Sequence, residues 1–73
     1  MKLDEIEWDK DWGGTGKVKC FPEHKFDVWL NTDGTYNIWR FEQLVGQYSK
    51  LEYNKLDPLT AQAVLYHLLN RRS

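Results

Sequence analysis

Apolar and polar residues alternate most regularly between Lys25 and Phe41, and this period of two predicts two β-strands joined by a tight turn. Asn31-Thr32-Asp33-Gly34 supplies the turn chemistry: Asn opens it, Asp follows two places on, and Gly takes a positive φ. These residues fit a type I turn closed by a G1 bulge, which pairs Asn31 with Thr35, Leu30 with Tyr36, Trp29 with Asn37, Val28 with Ile38 and Asp27 with Trp39. One face of the hairpin then collects Phe26, Val28, Leu30, Tyr36 and Ile38 and ends at Arg40. The competing register, a two-residue Asp33-Gly34 type I′ turn, places Asn37 among Val28, Leu30 and Trp39. The first register is preferred because no polar residue interrupts its apolar row.

Lys17-Val18-Lys19-Cys20-Phe21 alternates weakly and stops at Pro22, as a short edge strand does. Leu44-Val45-Gly46-Gln47-Tyr48 reads as a third strand of the sheet, although Phe41, Leu44, Val45, Tyr48 and Leu51 also fall at helical spacing across 42–53. Strand is favoured, because Gly46 costs a helix interior about 1 kcal/mol and a lone hairpin needs another element to be stable. Asp57-Pro58 opens a final helix, with Asp as cap, Pro in the first turn, and Arg71 and Arg72 at the end where the helix dipole favours cations. Its Ala61, Val64, Leu65, Leu68 and Leu69 share a face, Thr60, His67 and Arg71 form a polar stripe, and Leu59, Ala63 and Tyr66 make a second apolar cluster that a single sheet would not cover.

The expected fold is therefore α+β: a small antiparallel three-stranded sheet, a meander around the 26–41 hairpin, packed on one C-terminal α-helix. An irregular acidic aromatic arm with a Gly-rich hinge (1–16) precedes a single α+β domain (17–73).

Composition sharpens this picture. With 73 residues the chain is one domain, of a size that buries only roughly 60% of its unfolded surface. Cys20 is its only cysteine, so no internal disulfide staples the fold; packing must, and four Trp, four Tyr and three Phe can supply it. No apolar run approaches the roughly 18 residues of a membrane span, and Met1-Lys2-Leu3-Asp4-Glu5 lacks the n- and h-regions of a signal peptide, so a cytoplasmic protein without membrane contact is expected. Net charge is −1, but five acids against two lysines leave residues 1–12 at −3 and the remainder at +2. This balance disfavours binding of nucleic acid through phosphate electrostatics.

The chemistry-bearing residues do not assemble into a recognisable catalytic pattern. Gly13-Gly14-Thr15-Gly16-Lys17 resembles a phosphate loop only superficially, because an acidic arm precedes it and Val18 follows where Ser or Thr belongs. Cys20 and His24 are spaced as metal ligands, yet only the distant His67 and carboxylates remain to complete four ligands. Neither His adjoins a nucleophile in any known motif. The chain is read as a non-enzyme, with no catalytic residue, metal, cofactor or small-molecule substrate.

The outer hairpin face is where a partner is expected. It carries Asp27, Trp29, Asn31, Thr35, Asn37, Trp39 and Phe41, with Trp29 and Trp39 as diagonal neighbours. Either the arm, with Trp8 and Trp12, folds over these rings, or they meet another molecule. The favoured partner is a protein, a second copy of the chain included, contacted through Trp29, Trp39, Asp27, Asn37, Arg40 and Tyr66, since Trp, Tyr and Arg dominate binding hot spots. In size and acidic-aromatic composition the chain is similar to accessory and inhibitor proteins of bacteriophages and mobile elements. The alternative is nucleic-acid binding. Three antiparallel strands and one helix over about residues 26–69, with Trp39-Arg40 on the second strand and Leu44-Val45-Gly46-Gln47-Tyr48 as the third, resemble the sheet-and-helix domains of AP2 type and the arm-binding domains of phage integrases. Those domains imply DNA reading by a basic sheet face, whereas Asp27 and Asn37 stand on this one.

Overall fold

The computed structural model describes residues 2–70, so the expectations for Arg71 and Arg72 lie outside the described residues. Alternation and turn chemistry produce a fully antiparallel meander of five strands: β1 (Lys10–Asp11), β2 (Lys17–Phe21), β3 (Phe26–Leu30), β4 (Tyr36–Glu42) and β5 (Gln47–Leu56), followed by helix α1 (Pro58–Asn70). The architecture is α+β as expected, but the sheet has five strands, not three. Besides the hairpin and β5, the sheet contains β2, at the residues read from the sequence as a short edge strand, and β1, which was not expected. β1 is two residues long and carries no apolar alternation; backbone bonds such as Asp9 N–H to Val18 O (2.9 Å) hold the segment to β2.

The hairpin register follows the bulged type I turn. Leu30 pairs with Tyr36, Val28 with Ile38 and Asp27 with Trp39, and the turn closes through Gly34 N–H to Asn31 O (3.1 Å) and Asn31 N–H to Thr35 O (2.8 Å). Gly34 sits at φ 86°, where an L side chain is disfavoured. The third meander strand exists but starts at Gln47; Leu44, Val45 and Gly46 instead form the β4–β5 turn, with Gly46 N–H bonded to Glu42 O (2.7 Å). Against seven residues of β4, the ten of β5 are accommodated by three register shifts, which bend the strand.

Helix α1 covers one face only. Phe26, Val28, Tyr36 and Ile38 on the sheet pack with Ala61, Leu65 and Leu68, while Val64 and Leu69 lie at the margin of this core. Asp57 caps the helix by accepting the Thr60 N–H. The N-terminal segment joins the same layer: a 3-10 turn at Leu3–Glu5 is tied to α1 by Leu3 N–H to the Gln62 side-chain oxygen (2.7 Å), Ile6 is buried in the core, and Leu3 and Trp8 pack against it. No described helix is long and apolar enough to cross a membrane.

Candidate functional site

With helix and N-terminal segment both on the core face, no second layer among the described residues covers the opposite face of the sheet. Strand alternation places Val18 and Cys20 of β2, Asp27 and Trp29 of β3, Asn37, Trp39 and Phe41 of β4, and Leu51 of β5 on that outer face. Trp29 and Trp39 are half-buried by their neighbours. Tyr48 folds in beside Phe41 in an edge-to-face contact with ring centroids 5.2 Å apart.

Trp8 and Trp12, four residues apart, take opposite faces. Trp8 joins the core, while Trp12 stays 51% exposed and forms one wall of a groove with Trp29. This groove holds about 300 Å³ and is lined also by Val18, Cys20, Asp27, Asp9 and Lys10. Its Trp12 wall is fixed locally. The glycine-rich stretch forms a 3-10 turn at Gly13–Thr15, braced by Trp12 N–H to Gly16 O (2.8 Å), Thr15 Oγ1–H to Trp12 O (2.9 Å) and Gly13 N–H to Asp11 Oδ1 (2.9 Å). The Lys10 ammonium lies over the Trp12 ring, 5.6 Å from its centroid.

A short polar row runs across the outer face. Tyr48, Cys20 and Asp27 make up this row. The Tyr48 hydroxyl pKa is pushed up to about 12, first by its interaction with Cys20 and then by burial. Burial is the main cause that raises the Cys20 thiol, and also the Asp27 carboxyl, to which the nearby Asp9 charge adds. Asp27 Oδ1 is closed off from water and has no hydrogen-bond partner. A buried, unsatisfied carboxylate oxygen is costly, and such groups call for an explanation. Asp9 is better served: its carboxylate accepts from the Cys20 backbone N–H (2.8 Å) and from Lys19 Nζ (3.2 Å), which hold its pKa below the usual carboxylate value.

Of the residues expected from sequence to meet a partner, Trp29, Trp39, Asp27 and Asn37 share the outer face. Asn37 is already engaged, because its Oδ1 accepts from Lys55 N–H (2.8 Å) and Asn31 Nδ2 (2.9 Å). Arg40 does not join them: it stands opposite Phe26 on the core-side row and pairs with Glu52 (3.2 Å). Tyr66 is 64% exposed on the helix that packs on the core side, beside Leu59 at 82%, so it belongs to a different surface. Of the arm residues read as a possible cover for these rings, Trp12 comes beside Trp29 and Trp8 does not, while Cys20, Tyr48 and Leu51 were missed as neighbours of the outer rings. The strand signal around Cys20 was available for one of them; the others depend on loop and bulge geometry. Among the described residues no three of His, Cys, Asp and Glu converge as a metal-ligand set. Comparison with protein families, curated proteins and solved structures returned no match.

Proposed function

We propose that this chain is a small non-catalytic protein-binding module that receives its partner on the outer face of the sheet. One observation carries the reading: among the described residues, Trp29, Trp39 and Leu51 lie on a sheet face without a covering layer, flanked by an exposed Trp12, while the helix and N-terminal segment pack on the other side. Aromatic rings on a rigid scaffold give large contact area at little entropic cost, which is why they anchor interfaces. An accessory or inhibitor role, of the kind found in mobile elements, agrees with the small size and acidic arm. The nucleic-acid alternative is weaker, because Asp9 and Asp27 border the groove and would meet phosphates with like charge.

The test is capture from cells that express the chain, with wild type, Trp39→Ala and Leu59→Ala as baits. A partner retained by wild type and Leu59→Ala but lost with Trp39→Ala is the expected result. A partner lost only with Leu59→Ala would move the interface to the helix and contradict the proposal.

A further inference from the structure

Asp27 occupies a position in the groove that is unfavourable to the free protein. Its carboxyl is drawn out of water, one oxygen has no partner, and it makes no ion pair among the described residues. Beside it stand two indoles, Trp12 and Trp29, and the Asp9 carboxylate. Indole faces attract cations, and a planar guanidinium, less strongly hydrated than an ammonium, stacks on them. The chain demonstrates the first half of this itself, since Lys10 places its ammonium over Trp12 at 5.6 Å. The acidic excess of residues 1–12 adds attraction towards a basic segment.

We propose that the Trp12–Trp29 groove receives an arginine side chain of the partner protein, its guanidinium stacked on the indoles and its charge set against Asp27. This rests on the outer-face reading and adds the chemistry of the occupant. Lys10 is the internal competitor: it holds the Trp12 ring in the free protein and is displaced when the partner's arginine enters. The unpaired Asp27 then acquires the opposite charge that the chain does not supply. The same residue is thus a defect of the isolated domain and a determinant of the complex, a conflict expected where function overrides local optimisation.

The experiment follows the four indole N–H signals of the isotope-labelled full chain by NMR during titration with a capped Gly/Ser peptide carrying one central arginine, and with the same peptide carrying neutral citrulline. A single side chain is expected to bind with a Kd on the order of 1 mM. The arginine peptide should shift Trp12 and Trp29 saturably, and citrulline should bind about tenfold more weakly. Asp27→Asn should remove the preference for arginine while raising the melting temperature, Trp12→Ala should weaken binding without unfolding the domain, and Lys10→Met should strengthen it. Equal binding of arginine and citrulline, absence of saturable shifts, or an undiminished arginine preference in Asp27→Asn overturns the proposal. Equal binding of both peptides at these indoles would leave the outer-face reading standing, and that reading fails separately if Trp39→Ala retains the cellular partner.

Discussion

Asp27 and Asp9 sit close together and respond to protons in opposite senses. Burial raises the Asp27 carboxyl, so the folded state holds that proton more tightly than the unfolded chain does, and stability contributed by this residue falls as pH rises from about 4 towards its folded value. Asp9, Asp33 and Asp57 are lowered by hydrogen bonds from Cys20 and Lys19, from Thr35, and from Thr60; what they contribute is present above about pH 4 and lost as pH falls through their folded values. Asp27→Asn should therefore be more stable than wild type at pH 7, with the difference shrinking towards pH 3, as urea unfolding at a series of pH values will measure. Cys20, Tyr48 and Asp9 are the titratable groups facing Asp27, and the raised thiol and hydroxyl stay neutral throughout this window. Gly16 carries a different residue-level constraint. At φ 126° and ψ −173° it occupies a region that only glycine enters readily, and a Cβ there would stand 2.5 Å from the Leu30 carbonyl oxygen. Gly16→Ala should cost roughly 2 kcal/mol or more by denaturant unfolding, whereas Gly14→Ala, with open space around it, should be nearly neutral.

At the level of elements, the 26–41 hairpin was legible because Asn31, Asp33 and Gly34 specify both turn and register, and because a shift by one residue would expose Val28 and Ile38. The helix was legible from its cap and from Ala61, Leu65 and Leu68. β1 was not, because a two-residue strand held by backbone bonds leaves no side-chain pattern. The start of β5 was misplaced because Leu44 and Val45 are apolar residues in an exposed turn, and apolar character there mimics a strand. The bulges of β5 were equally hidden: one is fixed by Asn37 Oδ1 gripping the Lys55 N–H, with Lys55 at φ 54°. Asn37→Ala should release that bulge and cost about 1 to 2 kcal/mol, with amide exchange accelerated around Lys55. The outer rings were legible as a face, but Trp12 was not separable from Trp8 by residue type. Leu65→Ala, on the buried side of α1, should cost about 3 kcal/mol.

The whole molecule is asymmetric across its sheet and protected along its edges. The Asp9 carboxylate caps the Cys20 N–H beyond the end of β1, and β5 presents three register shifts with Lys50 and Lys55 along it. Bulges and charges of this kind discourage edge-to-edge pairing. Sedimentation should find the chain as an 8.7 kDa monomer at micromolar concentration. The claim on which this account turns is that adjacent residues of β4 serve different ends: Ile38 faces the core at 1% exposure, and Trp39 stands on the outer face proposed to bind a partner. Urea unfolding of Ile38→Ala and Trp39→Ala, measured side by side, tests it most directly. Ile38→Ala should cost about 3 to 4 kcal/mol and Trp39→Ala roughly 1 to 2. If Trp39→Ala costs as much as Ile38→Ala, the outer rings belong to the core and the binding face proposed for them does not exist.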